Sequence, residues 1–246
     1  MGAQWKHAGR QTANNKKGQI IGKLVKEIIV AAKLGGPDPT ANFRLRGALE
    51  DARKNSVPRD TIDRAVKRGA GLLDDPIQYE TILYEGFAPH QVPLIVECLT
   101  ENRNRTAADI RGLFRKGQLG ASGSVAWMFE RKGVVEAHHS DSAIDSETAA
   151  IEANGESVES FTPEASQNNE PVKPGTYARF YSAMTDLDGM AKALAAAGWN
   201  VLTSELSYIA KNNVDLSADQ LAEVSNFLGE IDDNDDVHRI YVALKS

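Results

Sequence analysis

Between Gly133 and Ile209 the chain switches back and forth between strand-type and helix-type patterning, and the order of the switches leaves few folds open. Gly133–Ala137 reads as a short strand, Ile144–Ala153 as a helix, Ser157–Phe161 and Tyr177–Ala183 as strands, Leu187–Ala197 as a helix and Val201–Ile209 as a strand. Strand, helix, strand, strand, helix, strand is the order of a ferredoxin-like split βαβ unit. A polar loop with three prolines, residues 162–175, separates its middle strands.

The flanks carry a second pattern of the same kind. Gln78–Glu85 and Gln91–Thr100 read as strands joined by the turn Gly86–His90, and a helix from Asn104 to Gly117 and a strand over Val125–Glu130 follow. Beyond the split βαβ unit come a helix at Ala218–Gly229 and a strand at Val237–Leu244. The economical architecture is α+β, with residues 77–132 and 210–246 forming one domain and 133–209 a ferredoxin-like domain inserted in it. Ahead of both, Gln19–Leu34, Asn42–Lys54 and Val57–Arg68 have apolar residues at helical spacing, as in Ile21, Leu24, Val25, Ile28 and Ile29. Three short helices with matching stripes can share a small core. Gly69-Ala-Gly71 and Asp74-Asp75-Pro76 then mark a boundary, giving a helical domain at 1–73.

Charge divides the chain at that boundary. Residues 1–73 hold 15 Lys and Arg against 6 Asp and Glu, a surplus of +9, while the remaining 173 residues hold 13 against 28, a balance of −15. A basic module on an acidic body points to nucleic-acid contact through one end of the molecule. The candidate contact residues are Lys16 and Lys17 in a basic arm, Lys23 and Lys26 on the polar side of the first helix, and Arg46 and Arg53 on the second. Arg64, Lys67 and Arg68 on the third complete the helical set. A second group, Arg103, Asn104 and Arg105, stands at a strand–helix junction where packing does not require it. Arginine forks suit phosphates and base edges, and they suit nearby carbonyls and carboxylates such as Asp109 equally well. Asn104 is a plausible N-cap for the helix that begins there.

Other chemistry finds little support. Cys98 lies in an apolar strand, the setting of a structural thiol rather than a reactive one. A single cysteine also forms no intramolecular disulfide and suits a reducing cytoplasm. His138-His139 with Asp141 is a poor metal site, since adjacent strand residues face opposite ways. Asp232-Asp-Asn-Asp-Asp236 lacks the Gly and Glu of a calcium loop and reads as a solvated acidic turn. Gly117-Gln-Leu-Gly120, with Gly123 beyond it, has the GxxG form of an RNA clamp, but it lies between a helix and a strand, and a helix cap with a tight turn explains it. No catalytic constellation, small-molecule substrate, cofactor or metal is expected. No apolar run approaches the roughly 20 residues that cross a bilayer.

Several longer stretches are distinctive together. Lys33-Leu-Gly-Gly-Pro-Asp-Pro39, Asn42-Phe-Arg-Leu-Arg46, Val57-Pro-Arg-Asp-Thr-Ile62, Ala65-Val-Lys-Arg-Gly-Ala-Gly71, Tyr84-Glu-Gly-Phe87, Glu97-Cys-Leu-Thr-Glu-Asn-Arg-Asn-Arg-Thr106, Gly120-Ala-Ser-Gly-Ser-Val125 and Val237-His-Arg-Ile-Tyr241 resemble the YebC/PmpR family, in the same order and over nearly the whole chain. The resemblance implies a basic helical domain followed by two α+β domains, one inserted in the other, and no enzymatic activity. It also implies regulation of gene expression, either as a DNA-binding transcriptional regulatory protein or, as in a mitochondrial relative, as a translational activator. The translation form would meet ribosomal RNA and relieve stalled ribosomes. Duplex DNA, ribosomal RNA and the ribosome are the partners these two forms expect; an adaptor whose basic helices dock an acidic protein is a third reading.

Overall fold

The computed structural model describes residues 13–73, 79–162 and 173–245, with side chains from Lys17 onward. The arm expected over residues 1–18 is helical from Ala13 on, so Lys16 and Lys17 stand on the first helix rather than in an arm; the part before Ala13, the side chain of Lys16, the Asp74-Asp75-Pro76 boundary and most of the 162–175 loop lie outside the described residues. The first three helices are α1 (Ala13–Gly35), α2 (Phe43–Lys54) and α3 (Arg59–Gly69). The body consists of β1 (Glu80–Ala88), β2 (Val92–Thr100), α4 (Arg103–Leu113), β3 (Gln118–Leu119), β4 (Phe129–His139), α5 (Ser146–Glu152), β5 (Ser157–Ser160), β6 (Thr176–Ser182), α6 (Leu187–Ala196), β7 (Asn200–Ala210), α7 (Ala218–Asp232) and β8 (Val237–Val242).

The helical module is built on one shared stripe. Ile28, Ile29, Ala31 and Ala32 of α1 pack on Leu45, Ala48, Leu49 and Ala52 of α2 and on Ile62 and Ala65 of α3. Gly36, in the left-handed region at φ 82°, ends α1 before Pro37. Asn42 then caps α2 by accepting from Leu45 N at 3.0 Å, while its amide donates to Ala31 O and Gly36 O, both at 2.9 Å. One side chain therefore satisfies backbone groups at the end of α1 and the start of α2. Within α1, a Cβ at Gly22 would meet no atom within 4 Å. Gly22→Ala should therefore raise stability by roughly 0.5–1 kcal/mol through helix propensity alone, measured by urea unfolding.

The body is two antiparallel sheets. The first has the order β3-β1-β2-β8 and carries α4 and α7 on one face, over Leu94, Val96, Cys98, Ile110, Phe114, Phe227, Leu228 and Ile231. The second has the order β5-β6-β4-β7, with α5 and α6 over Val135, Ala178, Phe180, Met190, Leu194 and Trp199. Counting only the inserted strands, that order is 2-3-1-4, the ferredoxin-like arrangement. The fold is thus α+β, a three-helix module followed by two α+β domains with the ferredoxin-like one inserted.

Two local expectations give way. Val125–Glu130 and Gly133–Ala137 are not separate strands: residues 126–128 form a 3-10 turn, and β4 runs unbroken from Phe129 to His139. Gly133 does not break it. A Cβ there would lie 2.6 Å from Ser182 Oγ and 2.9 Å from Leu187 Cβ, so the glycine permits close packing inside a continuous strand. The other new element is β3, two residues paired with Gly86 and Phe87.

Candidate nucleic-acid interface

The helical module's cations fall into two sets. Arg53, Arg64 and Lys67 are exposed on α2 and α3, and among the described residues none of them makes an ion pair. Lys17, at the start of α1, is exposed as well. Arg46 is half-buried and stacks on the Phe43 ring at 4.4 Å, and Arg68 is half-buried at the end of α3.

The second set faces the acidic body. A helical wheel assigns Lys23 and Lys26 to solvent, but α1 lies against the turn after α7. Lys26 Nζ sits 2.8 Å from Asp236 Oδ1 and donates to Asp235 O at 2.9 Å, and Lys23 bonds Asp232 O with its amine 3.6 Å from the Asp232 carboxylate. The expected solvated acidic turn is correspondingly a docking surface. Asp236 is only 3% exposed. Its carboxylate also receives Arg105 Nη2 at 2.9 Å and the Thr106 hydroxyl at 2.8 Å. Burial alone would push this carboxyl up; the bonds from Lys26, Arg105 and Thr106 outweigh it and hold it below the usual aspartate range. An open cleft of about 830 Å³ remains between the first turns of α1, Arg105 and Asp109 of α4, and residues 234–236.

The strand–helix junction is resolved by the same carboxylate. Arg105 pairs across the fold with Asp236 rather than with Asp109. The N-cap is Asn102, whose side chain accepts from Arg105 N at 3.2 Å; Asn104 lies inside the first turn and is exposed, as is Arg103. Asn102 is favoured because its own N–H is held by Thr100 Oγ1 at 2.9 Å. The Arg103–Asn104–Arg105 group thus presents two free side chains and one already engaged.

A buried ionic junction joins the helical module to both sheets. Glu27 of α1 receives the Arg44 fork of α2 on its two oxygens at 2.7 and 3.0 Å, and His238 Nε2 of β8 lies 2.7 Å from Oε2. Arg239 stands 3.8 Å from Glu27 and 2.5 Å from Glu205 of β7. Burial would raise the Glu27 carboxyl, yet His238, Arg44 and Arg239 together drive it far below the usual glutamate range. Nothing in the sequence marks this set, because its members come from four elements and Glu27 sits on the polar side of an ordinary amphipathic helix.

The glycine-rich loop after α4 already holds an anion of its own. Glu85 of β1 accepts from the backbone N–H groups of Gly123, Val125 and Ala126, each at 2.7 Å. Those three donors are turned inward, so they are not offered to a phosphate. Burial would raise the Glu85 carboxyl, and the three N–H bonds bring it below the usual range. Cys98 is buried and its thiol is pushed up to about 12, the state of an inert core residue. His138 stacks on Tyr177 and His139 on Trp199, on opposite sides of β4. Among the described residues no helix is long and apolar enough to cross a membrane.

Comparison with known proteins agrees with this architecture throughout. The family model described as the TACO1/YebC protein N-terminal domain matches residues 3–72, and that of the TACO1/YebC second and third domain matches residues 79–244. Probable transcriptional regulatory proteins of Pseudomonas fluorescens and Bdellovibrio bacteriovorus are 50% and 48% identical to this chain, each over 99% of it and over 99% and 100% of their own lengths. The crystal structure of a conserved hypothetical protein from Aquifex aeolicus is similar with a TM-score of 0.74 at 33% identity, covering 99% of this chain and 96% of that one.

Proposed function

Because the chain belongs to the TACO1/YebC family, we propose that it regulates gene expression by binding nucleic acid through the outward face of α2 and α3, with no catalytic step. One observation carries this reading: Arg53, Arg64 and Lys67 remain exposed and free of carboxylates in a protein whose net charge is −6. Lys23 and Lys26, by contrast, neutralise the protein's own acidic turn. Unpaired cations on adjacent helices contact phosphates and release condensed counterions, which favours binding at moderate salt. The bacterial relatives are named probable transcriptional regulatory proteins, which supports regulation through nucleic acid, and duplex DNA is the target we put forward first.

The test is an Arg53→Glu/Arg64→Glu/Lys67→Glu variant, titrated against mixed-sequence duplex DNA over a range of salt. Affinity at low salt should fall on the order of 100-fold, and the dependence of log K on log salt should flatten by about 3. The fold should hold, since surface substitutions of this kind shift stability by about 0.5 kcal/mol or less. Unchanged affinity would remove the assigned surface. Sedimentation with ribosomal particles that depends on the same three residues would move the target to ribosomal RNA.

A further inference from the structure

Among the described residues Trp127 is the only exposed Phe, Tyr or Trp, with 64% of its surface in water. The loop that carries it is nonetheless tightly held. Glu85 ties down the N–H groups of Gly123, Val125 and Ala126, and Gly123 adopts φ 85°, which favours glycine. The Trp127 indole N–H donates back to Ser124 O at 3.0 Å, and its own carbonyl accepts from Lys211 Nζ at 2.9 Å. The one polar group of the indole is therefore satisfied within the loop. What faces outward is ring surface, in a fixed orientation.

The surroundings of that ring are polar. Ser122 and Gly123 are exposed on one side, and Lys211, Asn212 and Asn213 are exposed on the other. Lys211 makes no ion pair among the described residues. A protein-docking hot spot is surrounded by further contact residues that together exclude water from it. A rigid aromatic face with an amine and two carboxamides beside it matches the chemistry of single-strand binding, in which a base stacks and a cation meets its phosphate. Paired bases within a duplex stack on each other and do not offer that face.

We propose that Trp127 is a stacking platform for an unpaired nucleobase, with Lys211 positioned for the adjoining phosphate. The site is separate from the α2–α3 surface and deepens the nucleic-acid reading, on which it rests. It assigns the protein a contact with single-stranded segments, either RNA or locally opened DNA.

The experiment uses the full chain in a Trp5→Phe background, so that fluorescence comes from Trp127 and from Trp199, which is 2% exposed. Single-stranded RNA and DNA oligonucleotides of one sequence, and the corresponding DNA duplex, are titrated separately. Saturable quenching by a single strand is expected, and it should be absent in Trp127→Phe. By anisotropy of labelled strands, Trp127→Ala should lose roughly 5- to 100-fold in single-strand affinity, Trp127→Phe should retain most of it, and duplex affinity should stay within about twofold. The preferred strand, RNA or DNA, identifies the source of the base. Single-strand affinity that is the same in Trp127→Ala as in the parent, or no quenching of the parent, overturns the stacking site while duplex binding keeps the α2–α3 reading intact. A parent that binds neither single strand nor duplex overturns both.

Discussion

Glu27→Ala is expected to destabilise the protein by about 3–5 kcal/mol, a large part of the roughly 5–15 kcal/mol that holds a domain folded. The substitution leaves Arg44, His238 and Arg239 facing one another around an empty buried site. Removing one partner of a buried ionic set costs far more than the set contributes when intact, because the remaining charges lose compensation without regaining water. The junction also links α1 and α2 to both sheets, so urea unfolding should change character. A single transition in the parent should split in the variant, with the helical module separating from the body first. Glu27→Gln keeps the shape without the charge and should fall between the two. The acid limb carries a second signature. The folded-state pKa of Glu27 lies below its unfolded value, so the unfolded chain takes up the proton first as pH falls. The stabilisation is therefore complete above the ordinary glutamate range, near pH ~4–5, and is lost progressively below it. The Gln variant should show a shallower acid limb. A loss under about 1 kcal/mol for both variants would contradict the role given to the junction.

Asp236→Asn should separate stability from binding. The change removes the charge that Lys26 and Arg105 share, while an amide oxygen still receives the Thr106 hydroxyl. Since Arg105 is half-exposed, the expected cost is about 2–3 kcal/mol, smaller than at Glu27. Two cations at the mouth of the cleft become available to an outside anion. Affinity for polyanions should rise as stability falls, and the salt dependence should steepen by about 1 to 2. Filter binding and urea unfolding on the same preparation check both signs. Weaker binding in a folded Asp236→Asn protein would show that the carboxylate organises the binding surface rather than occupying its cations.

The elements that were legible in the sequence are those written in local periodicity. The βαββαβ order between Gly133 and Ile209 needs only strand and helix patterning, and the sheet order 2-3-1-4 follows from packing rules for such a chain. Lys23 and Lys26 show where locality ends. Their wheel positions are polar, but whether a polar face meets water or an acidic turn some 209 residues away is decided by tertiary contact. The N-cap of α4 fails for a related reason. Asn102 and Asn104 are equally good caps by type, and Thr100, fixed in β2, selects the first. Gly133 reads as the start of a separate short strand, because a lone glycine cannot report that a neighbouring helix lies close above it. Trp127 falls inside the strand expected over Val125–Glu130, and nothing local predicts that Glu85, 42 residues earlier, pins the loop and turns the ring outward.

The way the inserted domain is spliced into its host has a bearing on how such a molecule changes over time. Lys211 N donates to Met128 O at 2.9 Å, immediately before Phe129 and Ala210 pair as the first rung between β4 and β7. The chain thus leaves the host and returns to it one hydrogen bond apart. At that seam a whole domain takes up no more width than a hairpin turn. Lengthening, shortening or exchanging the inserted part asks little of the host sheet, so its outer loops can diverge between lineages while the β1–β2–β8 framework and the cation-bearing helices stay in register.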